Sequence, residues 1–172
     1  ERDGTGHGTT QYRLKDWLLS RQRFWGTPIP MVHCDDCGVV PLNSDDLPGK
    51  LPLDVQFSWE GRGNPLAAKE EFLHVKWPKC DGEAIRETDT MDTFYDSSWY
   101  FMRLADSDNR SEPFSSDKVN YWLEGGVDLY IGGIEHAVMH LLYARFFTKA
   151  TRDLGMNLVG EPFGRLVCQG ML

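Results

Sequence analysis

A carboxylate and two imidazoles follow a glycine pair in YIGGIEHAVMHLLYARFF, residues 130–147. Residues 127–131, VDLYI, form a short apolar run with β-branched and aromatic members, which reads as a buried strand. Gly132-Gly133 breaks that run, and a helical pattern follows without Pro or Gly until Gly155. On that helix His136, His140, Tyr143 and Phe147 fall at spacings of four, three and four, so they are expected on one face, with Glu135 in the first turn. A strand, a Gly-Gly turn and a polar helix N-terminus suit a nucleotide. The glycines let backbone approach the ligand, the helix end offers free N–H groups, and a carboxylate accepts from a ribose hydroxyl. Glu135, His136 and His140 are therefore the candidate catalytic residues.

A second chemical grouping uses sulfur. His33-Cys34-Asp35-Asp36-Cys37-Gly38 has the form of half a zinc knuckle, two thiolates on a tight turn. Its counterpart, Trp77-Pro78-Lys79-Cys80-Asp81-Gly82, keeps the turn and the second cysteine but places Trp77 where the first would stand. Cys34, Cys37 and Cys80 with His74 or His33 would complete a tetrahedral zinc site. Alternatively the ribbon has no metal and packs Trp77 in its place. Between the two halves Pro, Gly, Asp and Asn (Pro48, Gly49, Pro52, Gly61, Gly63, Asn64, Pro65) indicate loop with short strands.

A third grouping is basic and aromatic. In residues 11–30, QYRLKDWLLSRQRFWGTPIP, Arg13, Lys15, Arg21 and Arg23 alternate with Tyr12, Trp17, Phe24 and Trp25. Such a mixture can stack on bases and pair with phosphates, or form a Trp-anchored surface helix with solvated charges. Gly26-Thr27-Pro28-Ile29-Pro30 ends any helix and extends the chain.

The remaining elements must position these groups. Asp92-Thr93-Phe94 reads as a strand end, and Asp96 or Ser97 as the N-cap of a helix through Arg103. Phe94, Ser97 and Tyr100 would then gather into a small apolar pocket with a polar rim. Ser115-Ser116-Asp117 caps a short helix ending near Leu123, and Glu124-Gly125-Gly126 turns into the first strand. Gly155 and Asn157 end the long helix, and residues 165–168 read as a second buried strand leading to Gln169-Gly170. Strand, helix, strand is a βαβ unit, so an α/β fold with a parallel sheet is expected, with ligands at the carboxyl ends of its strands.

The chain has 172 residues, 41% hydrophobic and 12% aromatic, which suits a folded domain with its own core. The apolar runs are too short to span a bilayer, and residues 1–4 carry no apolar signal region. A net charge of −8 argues against a surface that grips nucleic acid everywhere, while leaving local contacts open. A Cys-x-x-Cys pair without secretory features points to a reducing, intracellular compartment, and the Asn109-Arg110-Ser111 sequon then reads as chance. Residues 1–10 are polar without an initiating Met, and the chain stops just after a strand-like run. A fragment of a larger protein is the expectation.

Four blocks resemble the leucyl-tRNA synthetases of the bacterial and mitochondrial type, class I enzymes with a Rossmann catalytic core. They are YRLKDWLLSRQRFWGTPIP (12–30), ETDTMDTFYDSSWYF (87–101), VDLYIGGIEHAVMHLLYARFF (127–147) and CQGM (168–171). The resemblance implies an internal slice of the synthetase: a return linker from the editing insertion at 1–30, a zinc-ribbon-like β insertion at 31–86, and the second half of the Rossmann-type parallel-sheet core at 87–172. It implies that Phe94, Ser97, Tyr100 and His140 line a leucine pocket. Gly133, Glu135, His136 and Gln169 would hold ATP or the adenylate, and Arg21 and Arg23 would act in the tRNA-linked linker. Its substrates and partners would be leucine, ATP with Mg2+ and tRNA(Leu), with structural Zn2+ as a further ligand. The full-length enzyme would be a cytoplasmic or mitochondrial-matrix monomer with no membrane association. Two departures stand out, Trp77 for the usual ribbon cysteine and Glu124-Gly125-Gly126 for a commoner Pro-containing turn.

Two rival readings use fewer of these residues. A zinc-dependent hydrolase would use His136 and His140 as i, i+4 ligands, but the glutamate precedes the first histidine, whereas H-E-x-x-H places it after. A non-catalytic zinc-ribbon module explains the cysteines and leaves the helix histidines without a role.

Overall fold

A computed structural model of the chain describes residues 3–13, 16–55, 63–77, 80 and 82–170. Lys15, Gly61, Pro78, Lys79, Asp81 and Met171, which carry parts of the sequence readings, lie outside the described residues. In chain order the strands are β1 (Ser20–Arg21), β2 (Met31–Cys34), β3 (Gly38–Pro41), β4 (His74–Lys76), β5 (Glu83–Arg86), β6 (Thr90–Met91), β7 (Tyr130–Gly133) and β8 (Leu166–Gln169). The helices are α1 (Glu70–Leu73), α2 (Thr93–Ser97), α3 (Tyr100–Leu104), α4 (Ser116–Trp122) and α5 (Met139–Asp153).

The segment read as ribbon-like forms an antiparallel sheet in the order β3-β2-β5-β4. Alternation along β2 turns Val32 and Cys34 inward, where they pack with Trp77 and Ala84. His33 faces the other way and meets Glu87, 3.0 Å from its imidazole. Cys34 and Trp77 thus share one small core.

A second core joins the helices. Phe101 and Met102 of α3, Val119 of α4 and Ala144 of α5 are buried together with Phe114, Leu123 and Val159. On α5 the buried positions His140, Tyr143, Ala144, Thr148 and Thr151 follow the helical period and define its inward stripe. The connection from α3 to α4 is held by two side chains. The Arg103 guanidinium donates to the carbonyls of Ser107, Asn109, Glu112 and Pro113. The buried Asp106 carboxylate accepts from the Asn109 amide at 2.7 Å, from the Ser115 backbone N–H at 2.9 Å and from the Lys118 ammonium. The Asn109 amide nitrogen of the sequon is therefore committed to this turn.

β7 and β8 pair in parallel, with Tyr130 opposite Leu166 and Gly133 opposite Gln169. The βαβ unit is present, but its parts are shifted from the sequence reading. Gly132 and Gly133 lie inside β7 and continue the ladder instead of breaking it. A 3-10 turn over Ile134–Ala137 follows, and the α-helix starts only at Met139. His136 therefore lies on the turn, and the face expected to hold four residues holds His140, Tyr143 and Phe147. The strands are also less buried than expected: Ile131 is 56% and Val167 37% exposed.

Two further expectations change. Asp92, not Asp96 or Ser97, caps α2, accepting from the Phe94 N–H, and α2 and α3 are separate short helices. No helix forms among residues 16–30; β1 instead pairs with β6, Ser20 opposite Met91 and Arg21 opposite Thr90. Tertiary pairing overrides the local helical pattern there. No helix among the described residues is long and apolar enough to cross a membrane.

The Asp106 turn yields a test of this packing. The Lys118 ammonium and the donors around it hold the Asp106 carboxyl at about 2, below its ordinary 3.8. A depressed carboxylate stabilises the fold above its ordinary value and loses that contribution as pH falls toward the depressed one. Asp106→Asn is expected to lower the melting temperature at neutral pH, and its gap to the wild type should close between about pH 4 and about pH 2. Thermal unfolding followed across that range measures it.

Candidate functional site

His140, in the first turn of α5, is the centre of one group of the sequence-predicted residues. His140 is 4% exposed, and its Nε2 lies 2.9 Å from the Tyr130 hydroxyl. That hydroxyl is in turn 2.7 Å from the hydroxyl of Tyr100. The Tyr130 ring stacks on Phe163 at 3.9 Å between centroids, nearly coplanar at 12°. A relay Tyr100–Tyr130–His140 thus ties α3, β7 and α5 together. Burial pushes the His140 imidazole below its usual value, assisted by the nearby His136. Burial also pushes the Tyr130 phenol up, with the hydrogen bond to Tyr100 adding to it. Both groups are therefore neutral near pH 7. With Nε2 as the unprotonated nitrogen, Tyr130 donates to His140 and accepts from Tyr100.

One turn further along α5, Tyr143 stacks on Phe94 of α2, centroids 5.9 Å apart. Phe94, Tyr100 and His140 are thus arranged around the same end of α5. Ser97 differs: its hydroxyl donates back to the Phe94 carbonyl at 3.2 Å. Tyr130 and Phe163 were not among the sequence candidates. An aromatic within an apolar strand reads as core, although a partly buried tyrosine hydroxyl asks for a partner. Phe163 carried no signal.

At the edge of the sheet, Gly133 pairs with Gln169, and the Glu135 carboxylate folds back over Gly133. A Cβ at position 133 would stand 2.2 Å from Glu135 Oε1, so any larger residue there displaces the carboxylate. His136 Nε2 lies 3.7 Å from that carboxylate, and both side chains are more than half exposed. Backbone, carboxylate and imidazole are presented to solvent on one edge, as a ribose or phosphate would require.

The hydrolase reading loses its geometry here. The His136 and His140 rings are 6.1 Å apart and edge-on, and His140 Nε2 is taken by Tyr130. Among the described residues, the His, Cys, Asp and Glu side chains close enough to share a metal are Cys34, Cys37 and Cys80, whose sulfurs lie within 4.8 Å of one another. The Cys34 and Cys80 sulfurs are 3.6 Å apart, near the roughly 3.8 Å edge of a tetrahedron with Zn–S bonds of about 2.3 Å. Backbone N–H groups of Cys37 and Asp36 hold the Cys34 thiol below its usual value. Hydrogen bonding to Cys80, with burial, pushes Cys37 up to about 11 in the absence of a cation. Neither proposed fourth ligand joins them: His33 is bound to Glu87 and His74 to Glu70.

A separate cavity of about 430 Å3 lies between the N-terminal segment and the helices, lined chiefly by Trp17, Leu19, Tyr95, Tyr143, Phe146 and Phe147. It shares no residue with the predicted leucine or nucleotide sets. Arg21 and Arg23 flank this region: Arg21 pairs with Asp92 at 2.6 Å, and the Arg23 guanidinium stands over the Trp25 ring.

The family model for tRNA synthetases class I (I, L, M and V) matches residues 11–172. The chain belongs to the class I tRNA synthetases. It is 60% identical over 169 residues to the Leucine--tRNA ligase subunit alpha of Aquifex aeolicus, spanning 98% of this chain and 26% of that one. It is likewise 60% identical over 173 residues to the Leucine--tRNA ligase of Gloeobacter violaceus, 20% of whose length it covers. Among solved structures, the agnB2 LeuRS of Agrobacterium radiobacter K84, in a ternary complex with tRNA and LeuAMS, is similar at a TM-score of 0.86 and 47% identity. That likeness covers 95% of this chain and 20% of that synthetase. The chain thus spans about a fifth to a quarter of the length of these relatives and has a class I synthetase catalytic-domain fold.

The relay in this synthetase chain has a pH signature. A histidine whose folded pKa is depressed stabilises the fold above its ordinary value, 6.5, and that contribution is lost as pH falls through 6.5 toward the depressed value. Melting temperature is expected to fall as pH drops below 6.5, and less steeply in His140→Gln, which cannot take a proton.

Proposed function

We propose that this chain forms part of the synthetic site of a leucine–tRNA ligase. The observation that carries the reading is the 60% identity to Leucine--tRNA ligases over essentially the whole chain. The Tyr100–Tyr130–His140 relay and the Gly133–Glu135 edge support it. In the reaction a leucine carboxylate oxygen attacks the α-phosphorus of ATP, the bond to the β-phosphate bridge breaks, and pyrophosphate leaves. A terminal hydroxyl of tRNA(Leu) then attacks the leucyl carbonyl and releases AMP. Such chemistry depends on positioning and charge stabilisation more than on proton transfer.

In this reading β7, α5 and β8 belong to the second half of a Rossmann-type core, and residues 31–86 form a ribbon-like insertion. Phe94, Ser97, Tyr100 and His140 line the leucine side. Gly133, Glu135, His136 and Gln169 hold the adenylate, and ATP enters with Mg2+. Glu135 accepts from the ribose while Gly133 leaves room for the carboxylate. A neutral His140 offers hydrogen bonding without a charge that would repel the leucine ammonium. Arg21 and Arg23 lie in the linker toward the tRNA. The full-length enzyme is a monomer in this reading, and the four free cysteines accord with a reducing compartment, the cytoplasm or the mitochondrial matrix. Zinc fits Cys34, Cys37 and Cys80, supported by their spacing and by Gly82, where a Cβ would stand 3.1 Å from the Cys80 sulfur. Its role would be structural.

The test uses the intact enzyme and separates its substrates. Glu135→Gln keeps shape and removes charge, so kcat/KM for ATP in leucine-dependent pyrophosphate exchange is expected to fall about ten- to a hundredfold. His140→Ala is expected to act mainly on leucine. Equal defects for both substrates that track lost stability would refute the site assignment. For the ribbon, Cys34→Ser is expected to lower zinc content and speed proteolysis within residues 31–86 while leaving the helical core protected. Unchanged protection in metal-free wild type would show that Trp77 packing suffices.

A further inference from the structure

The proposed tRNA-linked segment and the proposed leucine pocket meet at one carboxylate that the site described above does not use. Asp92 stands between β6 and α2. Its Oδ1 accepts from the Phe94 N–H at 2.9 Å and caps α2. Its Oδ2 lies 2.6 Å from Arg21 Nη2, and its backbone N–H donates to the Leu19 carbonyl at 2.7 Å. Around it, the fully buried Thr90 hydroxyl lies within hydrogen-bonding distance of the carbonyls of Arg23, at 3.0 Å, and Trp25, at 2.8 Å. The Tyr143 hydroxyl donates to the Leu18 carbonyl at 3.3 Å.

A five-residue helix has little stability of its own, so its cap and its packing fix its orientation. α2 carries Phe94 and Ser97, and Phe94 stacks on Tyr143, which also holds residue 18. A carboxylate divided between the first turn of α2 and the Arg21 guanidinium cannot keep both contacts if residues 18–25 move. We infer that Asp92 is a positioning residue through which the seating of residues 18–25 and the shape of the leucine pocket are coupled. The inference rests on the function proposed above. By linkage the effect runs both ways: leucine tightens the segment, and release of the segment weakens leucine.

Asp92→Asn retains an oxygen to cap α2 but drops the charge that holds Arg21. In pyrophosphate exchange by the intact enzyme it is expected to raise KM for leucine about tenfold and leave KM for ATP unchanged. Arg21→Gln should produce the same change, and the double variant no more than either alone. Leucine should slow hydrogen exchange in residues 18–25 of the wild type, and lose that effect in Asp92→Asn. A merely structural role would lower melting temperature and active fraction while KM for leucine stayed put, and that result overturns the inference. Additive effects of the two substitutions overturn it as well. Absence of leucine-dependent exchange in the wild-type enzyme would remove the proposed function itself, whereas an unmoved leucine KM in an active Asp92→Asn enzyme removes only the coupling.

Discussion

Parallel strands cannot be joined by a tight turn, and the arrangement of this chain follows from that restriction. β7 and β8 pair from Tyr130–Leu166 to Gly133–Gln169, so the chain between them must travel back along the sheet. α5 makes that return, which leaves its first turn beside the carboxyl ends of both strands. Gly133, Gln169, Glu135, His136 and His140 therefore reach one edge through topology before any side chain is chosen. That edge is where parallel sheets place their ligands.

Side-chain chemistry then fixes the register that topology leaves free. The inward stripe of α5 includes His140, and a buried imidazole needs a hydrogen-bond partner. Tyr130 supplies it from β7 while stacking on Phe163 and meeting Tyr100. A slip of β7 by one residue would send the Tyr130 side chain to the other face and break all three contacts. The same relay that borders the proposed leucine pocket thus penalises the wrong pairing. Structure and site are specified by the same atoms.

These causes explain what could be read in the sequence. Apolar runs flanking a long Gly- and Pro-free segment announced the βαβ unit, because period and length are local properties. Gly132-Gly133 misled because glycine punctuates chains locally, whereas here the ladder to Cys168 and Gln169 carries it within a strand. The N-cap moved to Asp92 because a cap is chosen by where the preceding strand ends, and β6 ends at Met91. The surface helix that was one reading of the basic segment gave way to pairing with β6, whose partners are 69 positions away at Arg21–Thr90 and 71 at Ser20–Met91. Tyr100 and His140 meet through Tyr130, and Phe94 packs on Tyr143 one turn further along α5. Their link through Tyr130 was invisible, because only the tertiary structure shows where a phenol points.

The ribbon shows how one substitution can redistribute a structural task. Trp77 stands where a fourth thiolate was expected, and it fills the core shared by Val32, Cys34 and Ala84. Burying an indole of about 200 Å2 contributes up to about 5 kcal/mol, while its Nε1–H, without a partner among the described residues, costs about 1–3 kcal/mol. Packing wins that comparison. Cys34 belongs to this core and to the thiol cluster at once, so the indole packs against a strand that also carries one of the three thiols. With Trp77 in place, the sheet has an apolar anchor that does not depend on ligand chemistry, and the cluster of Cys34, Cys37 and Cys80 can bind metal without being the sole support of the fold.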